Sequence, residues 1–387
     1  MARHRFMFLL SCITVSLGVV AAGSTATVAT MGAPASGAST GRVWMAISGG
    51  SDQTCGIRTD HTLWCWGENT FGQLGLGDKT DRNVPSQVGG GADWASISTG
   101  SVHTCGTRTD HTLWCWGWNF SGQLGLGDRT ERLRPTQVGF ASDWAQISAG
   151  GYHSCGIRIN HTLWCWGYNG FGALGVGGVH NRGRPTQVGH LSDWAQISLG
   201  GSHTCGIHLD RTLWCWGYDP DGQLGVGDRT DRHRPTQVGH GTAWAQVGTG
   251  EAHTCGVHAN HTLWCWGANR DGELGLGNTT RRLEPVQVGR GTDWTRISAG
   301  FSHTCGLRAH HTLWCWGSNG TGELGLGDTT WRAQPAQVVR TDWGRIILGD
   351  FRTCGIRTND TLWCWGYNSS GELGLGDTTN RLVPNKV

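Results

Sequence analysis

From Ser51 onward the chain repeats a unit of 50 residues. The string His-Thr-Leu-Trp-Cys-Trp-Gly begins at His61, His111, His161, His261 and His311, and Arg211 and Asp360 take the place of the histidine in the other two copies. The Trp-Cys-Trp core counts seven units, centred on Cys65, Cys115, Cys165, Cys215, Cys265, Cys315 and Cys364; the last is displaced by one because a residue is missing between Gln337 and Trp343. A fixed period of this length marks a solenoid or a propeller, whose units bury their faces only against neighbours. In the second unit four strand-like pieces stand out: Trp144-Ala-Gln-Ile-Ser, His103-Thr-Cys-Gly-Thr-Arg, Thr112-Leu-Trp-Cys-Trp and Pro135-Thr-Gln-Val. None carries a helical stripe, and glycine or Asx residues punctuate them. Asp110 occupies the turn before Thr112, where every copy has Asp, Asn or His. Those residue types tolerate the left-handed backbone of a tight hairpin. Four strands in each of seven units predict an all-β fold, a seven-bladed β-propeller with four antiparallel strands per blade.

The two ends predict that this ring closes. The seventh unit stops at Val387, twelve positions short, and Val43 to Gly50 supplies the last eight of them. The ring is therefore expected to be closed by N- and C-terminal strands, with a composite last blade as the favoured arrangement because it would tie the ends together.

Composition agrees with the repeat. Glycine accounts for 65 of 387 residues and tryptophan for 23, while charged residues are 15%. Excess charge does not disorder such a chain, apolar runs do not make it a polytopic membrane protein, and nine prolines without a Gly-X-Y period exclude collagen. Three tryptophans recur per unit, so Trp118 and Trp331 alone lie outside the pattern. Trp64 and Trp66 share one face of their strand, and blade-to-blade packing is the economical reading.

The N-terminus reads as a secretory signal: basic Arg3, His4 and Arg5, an apolar stretch Phe6 to Val20, then small residues from Ala21 to Thr40. The expected organisation is a signal peptide at 1–26, an Ala/Ser/Gly/Thr linker at 27–42 and the propeller at 43–387, in a secreted, extracellular protein. Fifteen apolar-leaning residues fall short of a membrane span, so no stable membrane insertion is expected after cleavage. The formal charge is +2, and removing Arg3 and Arg5 leaves a neutral chain with no electrostatic footprint for nucleic acid.

The segment Cys115 to Val138, Cys-Trp-Gly-x-Asn-x-x-Gly-Gln-Leu-Gly-Leu-Gly-Asp-x-Thr-x-Arg-x-x-Pro-x-Gln-Val, resembles the regulator of chromosome condensation repeat, and the likeness runs from about residue 43 to the end. It implies the propeller fold and leaves function open, because one scaffold serves many binding tasks. The name-giving member of the family is a guanine nucleotide exchange factor for a nuclear GTPase and binds chromatin. That role needs an intracellular location and a basic patch, which the signal and the neutral charge oppose. A secreted inhibitor of β-lactamase built from similar repeats is the precedent for a secreted binding protein.

Fourteen cysteines fall into seven Cys-x9-Cys pairs: Cys55/Cys65, Cys105/Cys115, Cys155/Cys165, Cys205/Cys215, Cys255/Cys265, Cys305/Cys315 and Cys354/Cys364; Cys12 lies in the signal. With the turn centred at Asp60, residues 55 and 65 fall opposite each other across a hairpin, within reach of a disulfide. Seven identical staples are expected in a secreted chain. Zinc is the competing reading, but the spacing offers no close ligand pair, and no metal or cofactor is expected. His103, His153, His203, His253 and His303 read as hydrogen-bonding partners of the next blade, and Arg82 with its six counterparts as loop pins.

No Gly-x-Ser-x-Gly, His-Glu-x-x-His or unique carboxylate pair appears, so a non-enzymatic protein is expected. Function is sought where the copies differ most, in the loop after Trp-Gly. Phe71, Trp118, Phe120, Tyr168, Phe171 and Tyr218 concentrate there in the first four copies and would form an aromatic arc if the loops share one face. Exposed aromatics anchor protein interfaces. The expected function is binding of another protein by a monomer, with carbohydrate stacking on the same aromatics as an alternative.

Overall fold

Each blade is organised around its central hairpin. In the computed structural model, which describes residues 43–339 and 341–387, β1 (Trp44–Gly49), β2 (Gln53–Arg58), β3 (Leu63–Gly67) and β4 (Arg82–Gln87) pair antiparallel in that order. The described residues form seven such four-stranded sheets, each drawn from one contiguous stretch of chain. The expected signal and linker at 1–42, with Cys12, lie outside the described residues.

Cys55 and Cys65 face each other in the β2–β3 register, 4.1 Å apart at Cα, and are joined by a disulfide; the same bond recurs in all seven blades. The hairpin turn departs from its sequence reading by one residue. The left-handed position is His61 (φ 62°), not Asp60, and correspondingly His111, His161, Arg211, His261 and Asp360, while in the sixth copy both His310 (φ 64°) and His311 (φ 59°) are left-handed. Asp60 instead accepts hydrogen bonds from the Thr62 backbone N–H (3.0 Å) and hydroxyl (2.6 Å), and Thr62 Oγ1 accepts the Trp64 indole N–H at 2.8 Å. This Asx turn fixes the corner and orients the tryptophan above it. Where the sixth copy has His310 in place of Asp or Asn, a 3-10 turn at Ala309–His311 replaces the motif.

The first strands of successive blades lie against one another and form the innermost ring, and the fourth strands form the exposed outer edge. Blades are locked together by tryptophan. Trp116 is fully buried, packs edge-to-face on Trp94 at 5.6 Å, and donates its indole N–H to the Gln73 carbonyl of the preceding blade at 2.9 Å. Gly75 (φ +73°) makes this approach possible, since a Cβ there would lie 2.6 Å from Trp116 Nε1. At the axis, a Cβ on any of Gly50, Gly100, Gly150, Gly200, Gly250, Gly300 or Gly349 would come within 2.3–2.8 Å of the carbonyl oxygen of the next glycine in the ring. Only glycine permits inner strands to approach so closely.

The last of these contacts, Gly349 to Gly50, shows that the ring is closed, but not by a composite blade. β1 pairs with the hairpin that follows it after a three-residue connection, and blade 7 takes all four of its strands from Trp343–Lys386. The composite arrangement is corrected by that topology: a local antiparallel meander costs far less loop-closure entropy than pairing across the whole chain. Packing contributes to closure, with Trp44, Ile47 and Trp66 joining Ile347, Ile356 and Leu373 in one buried cluster, and the Trp66 indole N–H donates across the seam to the Glu372 carbonyl at 2.8 Å.

Candidate functional site

Strand parity puts two sets of loops on one face: the connections between first and second strands and those between third and fourth. The latter, residues 68–81 in blade 1, are held by the sequence that repeats. Asn69 Nδ2 donates to the Asp78 and Thr80 carbonyls (3.0 and 3.2 Å), Asn69 Oδ1 accepts the Leu74 N–H, and Arg82 pairs with Asp78 at 2.7 Å. Six arginines pin these loops, five through Asp78, Asp128, Asp228, Asp328 and Asp377 and Arg282 through backbone oxygens and Asn278; Arg182, where Gly178 replaces the aspartate, reaches the His180 carbonyl at 3.5 Å. Asn119, which reads as a glycosylation sequon, is wholly buried in this role and donates to Asp128 and Thr130.

On this rigid base the variable positions project outward, and the structure brings the six aromatics together in two groups. Phe71 and Trp118, from neighbouring blades, lie 5.6 Å apart, and Phe120 stacks on Trp118 at 5.7 Å with an 11° angle between planes. Tyr168 and Phe171 meet edge-on at 6.1 Å, and Phe171 reaches Tyr218 of the next blade at 4.3 Å. Phe120 is the exposed one, at 63%; the other five are half-buried by their contacts.

Sequence reasoning missed the aromatics of the first-to-second strand loops. Tyr152 packs edge-on against Trp118 at 5.5 Å, and its hydroxyl pKa is raised by burial and by the Glu251 and Asp350 carboxylates. Phe301 contacts Phe351 (5.3 Å), which contacts Tyr367 (6.4 Å), so aromatic character continues on blades 6 and 7. The signal was the parity of the strands, which places both loop sets at one end of the blade.

Beside the arc the face turns acidic. A cavity of about 170 Å³ between blades 4, 5 and 6 is lined by Asp221, Glu251, Asp271, Glu273 and Phe301, among others. Burial, with Asp350 nearby, pushes the Glu251 carboxyl well up from its ordinary value, and burial raises Glu273 likewise. Asp219, next to Tyr218, replaces the loop asparagine of the other six blades. Its Oδ1 accepts the Leu224 N–H at 2.9 Å, but its buried Oδ2 has no hydrogen-bond partner, and burial first, then Asp228 and Asp231, push its pKa up to about 7. A proton on Oδ2 would give Asp219 the donor that the amide nitrogen provides in the other six loops.

The ring histidines behave as joints. His103 Nε2 is 2.8 Å from Ser154 Oγ, and His153, His203, His253 and His303 make the same contact to Thr204, Thr254, Thr304 and Thr353 of the following blade. Burial holds all five imidazoles down at about 3. Among the described residues, no group of three or more His, Cys, Asp or Glu side chains could hold a metal ion, and no helix is long and apolar enough to cross a membrane.

A seven-bladed ring with disulfide-stapled hairpins and a loop-built face defines a propeller scaffold protein. The Regulator of chromosome condensation (RCC1) repeat matches residues 60–106, 110–157, 160–207, 211–257 and 260–307, and a second description of the same repeat matches seven segments from 46–73 to 348–372. The chain belongs to the RCC1 repeat family. The human WBSCR16 structure superposes with a TM-score of 0.75 at 21% identity, covering 84% of this chain and 93% of that one. Yeast RCC1 (Prp20), in its structure bound to Kap60, gives a TM-score of 0.76 at 19% identity over 95% of this chain and 91% of that one. At these identities the likeness is one of fold. A 42-residue stretch is 43% identical to the ultraviolet-B receptor UVR8 of Arabidopsis thaliana, which is 11% of this chain and 10% of that protein.

Proposed function

We propose that this chain is a secreted, non-enzymatic binding protein that docks another protein on the aromatic face of its propeller. The observation that carries the reading is the convergence of Phe71, Trp118 and Phe120, and of Tyr168, Phe171 and Tyr218, on one face from four consecutive blades. Rigid aromatics on a pinned base lose little entropy when a partner covers them. Seven disulfides and the signal-like N-terminus support an extracellular setting, where such bonds persist. One solved protein of the same fold binds proteins: yeast RCC1 (Prp20) is seen with Kap60, and a second structure of it is described with its binding to Gsp1p and histones. The protein acts as a monomer without nucleic acid, cofactor or membrane insertion.

The test is recovery of partners from culture supernatant by the purified chain and by its Trp118→Ala/Tyr168→Ala double variant. The wild type is expected to retain a protein that the variant loses. Equal recovery by both sinks the aromatic-face reading, and elution of that partner by soluble glycans would favour carbohydrate stacking instead. A mature chain found in the cytosol with free thiols would overturn secretion and disulfides together.

A further inference from the structure

The residue that follows each axial glycine differs between copies: Ser51, Ser101, Gly151, Gly201, Glu251, Phe301 and Asp350. What the ring uses there is main chain. Ser101, Gly151 and Glu251 each donate the backbone N–H to the carbonyl of the next axial glycine at 3.2–3.3 Å, whatever the side chain. Glu251 adds a carboxylate, which lines the cavity of about 170 Å³ between blades 4, 5 and 6. Its Oε2 is buried and, among the described residues, has no hydrogen-bond partner. Gly201 makes room for it, since a Cβ there would lie 2.1 Å from that oxygen.

The other acids of the cavity have partners or water. Asp221 pairs with Arg281 at 3.1 Å, Glu273 accepts the backbone N–H groups of Arg270 (3.2 Å) and Asp271 (2.8 Å), and the Asp271 side chain is exposed. Arg270, the cation on the wall, is also exposed and makes no ion pair among the described residues. A buried carboxylate oxygen without a donor costs stability that the serine and glycine copies do not lose. Within the chain nothing offsets that cost. The walls indicate what would. Ala252, Ala268 and the Phe301 ring set apolar surface beside the carboxylate, which suits an alkyl stem carrying a cationic head. A metal ion is unsuited, because these acids form no group that could hold one.

We infer that this cavity is a socket for a primary alkylammonium group, the side chain of a lysine on the docked protein, with Glu251 accepting its hydrogen bond and charge. An ammonium brings three donors to an oxygen that has none, and the charged pair makes the stronger kind of hydrogen bond. The inference rests on the docking reading and deepens it: Asp221 lies in the loop that carries Tyr218, so the socket opens beside the aromatic face.

NMR titration of the full chain, labelled on its alanine methyl groups, with n-butylammonium chloride tests the socket without any partner, because Ala252 and Ala268 report from its walls. Sodium chloride holds the ionic strength constant, and n-butanol is the neutral control. Saturable shifts of those two methyls are expected with the amine and not with the alcohol. Glu251→Ser copies the residue of blades 1 and 2, and Glu251→Gln keeps the shape of the side chain. Both should weaken the amine by about tenfold or more, the size of a lost hydrogen bond to a charged group, without lowering the melting temperature. The Trp118→Ala/Tyr168→Ala variant should bind the amine as the wild type does, so the socket and the docking surface fail separately. Absence of saturable shifts, equal shifts with n-butanol, unchanged affinity in both Glu251 variants, or a lower melting temperature in Glu251→Ser overturns the inference.

Discussion

Five of the seven blade junctions are joined by a neutral imidazole, and the seam between blades 7 and 1 is joined by a buried cation. At the regular junctions a histidine held at a pKa of about 3 meets a Ser or Thr hydroxyl. At the seam Arg352 takes the histidine's place, donating from Nε to Thr54 Oγ1 (3.1 Å) and from its terminal nitrogens to the carbonyls of Gly50, Ser51 and Gln53. Asp52, Asp350 and Glu372 surround it electrostatically, and their attraction opposes the burial that lowers its pKa. The difference teaches where the ring is bound by geometry and where by charge. A regular junction needs one short bond repeated in register, whereas the seam joins chain segments some 300 residues apart and spreads several bonds across one side chain.

Acid is expected to separate the two kinds of joint most strongly. The unfolded chain protonates its histidines near pH 6.5, while the buried native imidazoles stay neutral down to about 3. Their contribution to stability is therefore complete above pH 6.5 and is lost as the pH falls from there toward 3. Between blades 1 and 2 Gln53 takes the histidine's place and donates from Nε2 to the Gly100 carbonyl at 2.8 Å. Urea midpoints should fall steeply between pH 7 and pH 4.5, and His203→Gln, which copies that non-titrating residue, should flatten the profile. A wild-type midpoint that does not move over that range breaks the account.

Removing charge at the seam comes next. Arg352→Ala leaves Asp52 and Glu372 buried without their cation, and a loss of about 3–5 kcal/mol is expected, against about 1–3 kcal/mol for His203→Ala. Equal losses in equilibrium unfolding would mean that the seam is just another junction.

A smaller effect tests a departure within a regular blade. Asp219 has a native pKa near 7, raised from the carboxylate range, so its contribution is present below about pH 4 and lost as the pH rises through 7. Asp219→Asn should stabilise the chain by on the order of 3 kcal/mol at pH 8 and by little at pH 4. Thermal melts at the two pH values decide this, and a gain that is the same at both contradicts the protonated donor.

The smallest effect on folding belongs to the site. Phe120 is mostly exposed, so Phe120→Ala should change stability by less than about 0.5 kcal/mol. Any partner recovered by the aromatic face should nonetheless be bound more weakly, which separates binding from folding in one variant.

Much of this was legible in the residues because each is repeated. The Cys-x9-Cys spacing around a turn named all seven disulfides, and the recurring tryptophans pointed to blade contacts that the buried Trp116 and Trp66 make. What failed had no repeated signal to betray it. The same tally of strands suits a composite or a contiguous last blade, and only the short link from Gly49 to Gln53 decides between them. The left-handed residue was misplaced by one because Asp110 and His111 are both turn formers, and the choice follows from the Asp110 bond to Thr112. Tyr152 and Phe351 escaped because they flank a strand rather than sit in the evident loop, and their closeness to Trp118 and Tyr367 exists only once the ring curves. Arg352 stands in the sequence where five other blades have the histidine, but its charged surroundings come from residues scattered over the chain.

The contiguity of every sheet has a mechanical consequence. A propeller whose last blade borrows a strand from each terminus is zipped by a β-ladder, and tension on its ends must shear that ladder. Here the ends belong to different sheets, so the same pull falls on the Arg352 bonds, on the packing of Trp44 and Trp66 against blade 7, and on isolated main-chain bonds, Trp44 N–H to the Asp360 carbonyl (3.0 Å) and Gly376 N–H to the Asn83 carbonyl (2.8 Å). The molecule is a split washer. Under load it should part at that seam and swing open, with the other six junctions still joined and each blade stapled by its disulfide.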